Sequence, residues 1–293
     1  MNSRLRLALQ KKGRLADESL KLLNRCGLQF RVKPNALLTH VENFPIDLLF
    51  VRDDDIPTLV FDQLCDGGIV GENVLLESAM RSNNNSYSYL LSLGSCTCRL
   101  SIAIPEAFNF LGPGSLDGKR IATSYPNLLN RYLQDRRITA EILTLSGSVE
   151  VAPRMGMADA ICDLISTGQT LEENKLIEVD TVLISQAVFI KTQTPISSNK
   201  EELFSMLARR IQAVQQAQER KYIVFHAPKS ALQTIAMNLP GAESPTILPL
   251  PGNLDKVAVH VVSTERVFWN TLETIQSLGA SSILVLPIEK MLE

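Results

Sequence analysis

The sequence predicts an α/β body followed by a separate βαββαβ domain, and three observations carry that prediction. Short apolar strands alternate with amphipathic helical stretches through the first two thirds of the chain. The last stretch changes to strand, helix, two strands, helix, strand. Apolar residues make up 45% and charged residues 20%, ordinary globular usage. At about 100–200 residues per domain, 293 residues suggest two or three domains. That length can bury a core without disulfides or structural metal.

In order, Leu5 to Leu9 alternates as a strand, Lys11-Lys12-Gly13-Arg14 turns, and Leu15 to Cys26 has helical spacing up to Gly27. Ile46 to Val51 is a second strand. Asp55 is read as an N-cap, with a helix through Leu59, Val60 and Leu64. Gly67 to Asn73 reads as a buried strand ending in a polar loop, and the repetition argues for a largely parallel sheet. Asn83 to Ser86 is a polar loop. Arg99 to Ile104, Ala158 to Ile165 and Val182 to Ile190 read as strands, Ser115 to Thr123 as a turn and then a strand, with helices over Pro126 to Leu133 and Lys200 to Arg220. The tail then gives strands at Lys221 to His226, Pro245 to Leu250, Val257 to Val262 and Ser282 to Leu286. Helices fall at Lys229 to Asn238 and Glu265 to Leu278. That order is the ferredoxin-like arrangement.

Charge narrows the function. Lys plus Arg is 29 against 31 Asp plus Glu, which gives no support to duplex binding or a polybasic membrane surface. The apolar runs are strand-sized, and no leader of secretory type is expected. Five cysteines without a CxxC pair suggest reduced thiols and a cytoplasmic protein.

The sharpest local signal is Asp163 to Glu173. An apolar strand runs into Ser166-Thr167-Gly168-Gln169-Thr170, and Thr170 with Glu173 has capping-box spacing. Free N–H groups at a helix start, beside a Gly and hydroxyls, make an anion cradle. The same residues also suit a plain βα turn, and no GxxxxGK[ST] loop occurs. Asp163 could serve ribose hydroxyls or a metal carried by a phosphorylated ligand. Lys11, Gly13 and Arg14 suit a polyphosphate or carboxylate, or form a solvated turn. Arg52 to Asp55 and Gly71-Glu72-Asn73 carry the same ambiguity. All three lie at strand ends, where open α/β sheets bind ligands. His40, His226 and His260 lack metal-like spacing, there is no Gly-x-Ser-x-Gly elbow, and Cys96-Thr97-Cys98 has no neighbouring His. A transferase acting by positioning and electrostatics needs none of these.

Several motifs in fixed order, taken together, resemble the long form of ATP phosphoribosyltransferase, the first enzyme of histidine biosynthesis. They are the Lys11-to-Leu15 turn, Arg52 to Pro57, Gly71 to Val74, Arg120 to Pro126, Gly147 to Pro153, Ala158 to Asp163, Ser166 to Thr170, Pro245 to Leu250 and Gly279 to Val285. The resemblance implies a two-lobed fold like type II periplasmic binding proteins, with the substrate in the cleft and an ACT-like regulatory tail. Lobe I would comprise 1–98 and 182–220, lobe II 99–181, and the tail 221–293. The reaction implied joins ATP to phosphoribosyl pyrophosphate with Mg²⁺, giving phosphoribosyl-ATP and pyrophosphate. Histidine would inhibit through the tail of a dimer-based hexamer.

By the same resemblance, Ser166, Thr167, Gly168, Gln169 and Thr170 would hold the 5′-phosphate and Asp163 the ribose hydroxyls. Lys11, Arg14 and Arg52 would balance pyrophosphate and triphosphate charge, with Gly13 and Asp55 beside them. Tyr125 would lie against a base or ribose, and Glu72 or Glu150 would orient the substrate or the ion. Mg²⁺ would be held mainly by substrate oxygens. His226, Thr246 and Ser282 occupy the matching tail positions for the inhibitor. A non-catalytic binding or regulatory protein of the same fold is the alternative, and pyrophosphate release separates the two.

Overall fold

The computed structural model describes residues 4–82, 86–166, 168–238, 245–264 and 268–291. The chain forms two compact units, Met1–Ser205 and Met206–Glu293.

The first unit holds two sheets. Strands β1 (Leu5–Gln10), β2 (Leu38–His40), β3 (Ile46–Val51), β4 (Gly67–Gly71), β5 (Tyr87–Ser92) and β11 (Ala187–Thr192) form a six-stranded sheet in the order β2-β3-β1-β4-β11-β5. Strands β6 (Cys98–Pro105), β7 (Arg120–Thr123), β8 (Glu141–Thr144), β9 (Ala160–Ile165) and β10 (Leu176–Ser185) form a second, in the order β10-β6-β9-β7-β8. Helices α1 (Arg14–Arg25), α2 (Asp55–Phe61) and α3 (Glu72–Ser82) follow β1, β3 and β4, while α4 (Pro126–Asp135) and α5 (Gln169–Glu173) follow β7 and β9. The central strands are apolar on both faces: Leu5, Leu7, Ala8 and Leu9 of β1 and Ala187 to Ile190 of β11 are buried, as strands covered on both sides must be.

Only part of each sheet is parallel. β1 runs parallel to β3 and β4, whereas β11 is antiparallel to β4 and β5, and β2 to β3. The expected largely parallel sheet is therefore corrected to a mixed one. The run expected as a single strand over Val182 to Ile190 is two. β10 stays in the second sheet to Ser185, shifting register against β6 twice, and β11 then joins the first sheet. An apolar run that crosses between two sheets looks continuous in sequence because both halves are apolar, although only the β11 half, Ala187 to Ile190, is buried and Ile184 of β10 is exposed. No loop follows β4 either: Glu72 opens α3 directly, and its N–H donates to the Gln186 carbonyl at 2.9 Å.

The second unit carries β12 (Arg220–Pro228), α7 (Leu232–Asn238), β13 (Thr246–Leu250), β14 (Asn253–Thr264), α8 (Phe268–Ser277) and β15 (Ser281–Pro287). The sheet order is β13-β14-β12-β15, the ferredoxin-like topology. Ile223, Phe225, Val257, Val259 and Val261 face Ile235 of α7 and Ile275 of α8. Helix α6 (Ser198–Gln218) begins in the first unit and ends in the second. Among the described residues no helix is long and apolar enough to cross a membrane.

Candidate functional site

Strand register gathers the first cluster. Gln10 stands opposite Val51, so the next residues, Lys11 and Arg52, leave the sheet side by side, and the Lys11 N–H still donates to the Val51 carbonyl at 2.8 Å. Gly13, with φ 101°, precedes α1. Arg14, the first residue of α1, reaches the Thr97 carbonyl at 3.4 Å, on the segment that enters the second sheet. Asp55 is the first helical residue of α2 and not its cap. The cap position is Asp54, whose side chain caps nothing. The helix stops at Phe61, short of Leu64, because Gln63 takes a left-handed φ of 60°. Partial burial, then the neighbouring Asp53, raises the Asp54 carboxyl above its ordinary pKa.

The second sheet brings its own groups to the same place. Tyr125 sits at the cap position of α4. Burial, followed by Asp163, Asp53 and Asp54, pushes the Tyr125 hydroxyl well above the usual tyrosine range. Carboxylates from both lobes thus face one phenol. Asp163, on β9, accepts from its neighbour's N–H at 2.8 Å. Its pKa is raised, by burial first and then by Glu150, which lies in a short 3₁₀ turn over Val149–Val151. Glu72 is instead drawn alongside Tyr87 and Tyr89 of β5.

The loop after β9 is open to solvent. Ser166, Gln169 and Thr170 are exposed, and Thr167 lies outside the described residues. Gly168 has φ 87° and space around it, so its backbone conformation is what demands glycine. The expected capping box does not form. Gly168 takes the cap position with no side-chain bond, and Thr170 is already inside α5. Glu173 is taken by Gln169 at 2.9 Å.

Glu77 and Ser185, which the sequence does not single out, and Asn73, which it offers only within a strand-end motif, bind the lobes together. Glu77 of α3 accepts from the Asn127 and Leu128 backbone N–H groups, both at 2.9 Å, and from the Asn127 side chain at 2.7 Å. It caps α4 from another lobe. Asn73, one turn earlier on α3, donates to the Tyr125 hydroxyl at 2.9 Å and exchanges bonds with Ser185. These partners are 50 to 112 residues apart in the chain, so no local spacing could announce them.

In the second unit, His226 of β12 pairs with Ser281 of β15 and with Ala258 of β14. Thr246 pairs with His260 across the β13–β14 ladder. Ser282 has a left-handed φ of 54°. Thr246 and His226 are thus separated by β14, while His226 and Ser282 lie close at the start of β15.

Two α/β lobes whose carboxylates act on one tyrosine, with cations at the strand ends and a separate ferredoxin-like sheet, define a two-lobed α/β protein with a second domain. A family model for HisG, ATP phosphoribosyltransferase, matches residues 52–213, and one for the HisG C-terminal domain matches 217–290. The chain belongs to the ATP phosphoribosyltransferase family, in its long form, whose reaction is the first step of histidine biosynthesis. A chain of the ATP phosphoribosyl transferase (HisG:HisZ) complex from Thermotoga maritima is 29% identical, with a TM-score of 0.61. The match covers 72% of this chain and 98% of that one. The alkanesulfonate-binding protein SsuA from Xanthomonas axonopodis pv. citri, bound to MOPS, is 16% identical (TM-score 0.45, covering 72% and 74%). The Bordetella pertussis BvgS VFT2 domain is also 16% identical (TM-score 0.47, covering 72% and 87%). At those values the last two say nothing of ligand or activity.

Proposed function

We propose that the cleft of the first unit performs the family's reaction with the residues described above. The phosphoribosyl group of phosphoribosyl pyrophosphate passes to N1 of the ATP adenine, and pyrophosphate leaves. Adenine N1 is unprotonated near neutral pH, so its attack on the ribose C1 needs no strong base. The work left is alignment and charge stabilisation. Ser166 to Thr170 hold the 5′-phosphate, and Asp163 accepts from the ribose hydroxyls. Lys11, Arg14 and Arg52, with Gly13 and Asp55 beside them, take the pyrophosphate and triphosphate. Tyr125 meets the base or ribose, and Glu72 or Glu150 orients the substrate or the ion.

The observation that supports this reading is that Tyr125, Asp53, Asp54 and Asp163 come from both lobes into one electrostatic neighbourhood, while the cations leave β1 and β3 together. Mg²⁺ suits the same site: Asp53 and Asp54 are hard oxygen donors, and the ion supplies charge neutralisation on the phosphates. The ion is carried mainly by substrate oxygens, since Mg²⁺ keeps waters and prefers phosphates to all-protein cages.

Histidine inhibits through the 221–293 domain at His226, Thr246 and Ser282, and the chain works in the cytoplasm as a dimer that assembles to a hexamer. The domain limits are read as lobe I over 1–98 and 182–220 and lobe II over 99–181. The test is pyrophosphate release from purified protein given ATP and phosphoribosyl pyrophosphate. Binding of both without release would leave a binding or regulatory subunit.

A further inference from the structure

Asn73 and Ser185 are almost wholly enclosed, at 4% and 0% exposure, and their polar atoms can be accounted for one by one. The Asn73 backbone N–H donates to Ser185 Oγ at 3.0 Å, and Ser185 Oγ donates to Asn73 Oδ1 at 2.8 Å. A hydroxyl has one proton, and Oδ1 takes it. The orientation of the Asn73 amide is thereby fixed, with Nδ2 toward Tyr125 Oη at 2.9 Å. Gly71 leaves room for this arrangement: a Cβ there would stand 2.6 Å from Asn73 Oδ1, far inside contact distance.

Because Nδ2 can only donate, the Tyr125 oxygen accepts, and its own proton points elsewhere. We infer that Ser185 and Asn73 are positioning residues that set the Tyr125 hydroxyl as a hydrogen-bond donor into the cleft, for an uncharged acceptor on the nucleoside or ribose part of a substrate. The charge around the phenol selects that acceptor. Asp53, Asp54 and Asp163 repel a phosphate at this point, and they also disfavour the phenolate, so the donor stays loaded. The phosphates belong instead with Lys11, Arg14, Arg52 and the loop after β9. This inference rests on the reaction proposed above and names the polarity of one of its contacts.

Asn73→Asp tests it at nearly constant shape. At pH 8 Ser185 still donates to one carboxylate oxygen, but the other now accepts the Tyr125 proton, so the donor turns away from the cleft. Asn73→Asp and Tyr125→Phe should each lower kcat/KM by about 10- to 100-fold, the range of a lost hydrogen bond to substrate. The double variant should fall no more than about twofold below Tyr125→Phe alone, since the first change acts only through the second residue. Ser185→Ala, which frees the Asn73 amide to turn, should lower activity in the parent and be silent in the Tyr125→Phe background. It keeps the test alive if Asn73→Asp does not fold. Additive losses, or a fully active Tyr125→Phe, would overturn the inference and leave the reaction standing. A parent protein that releases no pyrophosphate would remove the reaction itself.

Discussion

Asp163 and Gly168 sit five residues apart and fail for different reasons when changed. Asp163 is half-buried, with the Glu150 charge acting on it, and its raised pKa means that ionisation is less favourable in the folded chain than in the unfolded one. That cost is absent below the ordinary carboxylate value of 3.8 and grows as pH rises through the folded pKa. Asp163→Asn should therefore raise Tm at pH 7, with the gain vanishing below about pH 3.8, while kcat/KM falls by about 10- to 100-fold. Thermal melts at several pH values check the first part. A gain that persists in acid would place the cause elsewhere. Gly168→Val confronts a φ of 87° in open space. A β-branched residue there disturbs the backbone of an exposed loop and no packing. The expected result is loss of phosphoribosyl pyrophosphate binding by calorimetry, with Tm nearly unchanged.

At the scale of elements, α3 joins the two lobes. Its Asn73 and Glu77 face α4 one turn apart, and Glu77 supplies the cap that Ser124-Tyr125-Pro126 cannot. Glu77→Ala should cost about 1–2 kcal/mol in denaturant unfolding, because it orphans the N–H groups of Asn127 and Leu128. Loss within a few tenths of a kcal/mol would mean that water replaces the carboxylate. This contact shows where sequence reading stops. β1, β3, β7, α1 and the βαββαβ tail were legible because apolar periodicity and Gly or Pro punctuation are local. The first residues of α3, Glu72 and Asn73, read as a polar loop closing β4 because Gly71-Glu72-Asn73 has turn composition. The Thr170–Glu173 box had the right spacing, yet the left-handed Gly168 took the cap position. The candidate site was legible at its strand-end motifs, Lys11 to Arg14, Arg52 to Asp55 and Asp163 to Thr170. Ser185, Glu77 and the role of Asn73 depend on contacts between lobes, which no window of sequence contains.

For the whole molecule, the division of labour between a catalytic body and a regulatory tail can be tested by removing residues beyond about Lys221. Turnover that is no longer inhibited by histidine is the expected outcome, and inhibition that survives would place the effector on the body. The more basic question is whether the two lobes close on a reacting pair. The full chain, supplied with ATP, phosphoribosyl pyrophosphate and Mg²⁺, should release one pyrophosphate for each phosphoribosyl-ATP formed, and Gly168→Val should abolish both. Binding of the two substrates without pyrophosphate release, or undiminished turnover in Gly168→Val, would contradict the account.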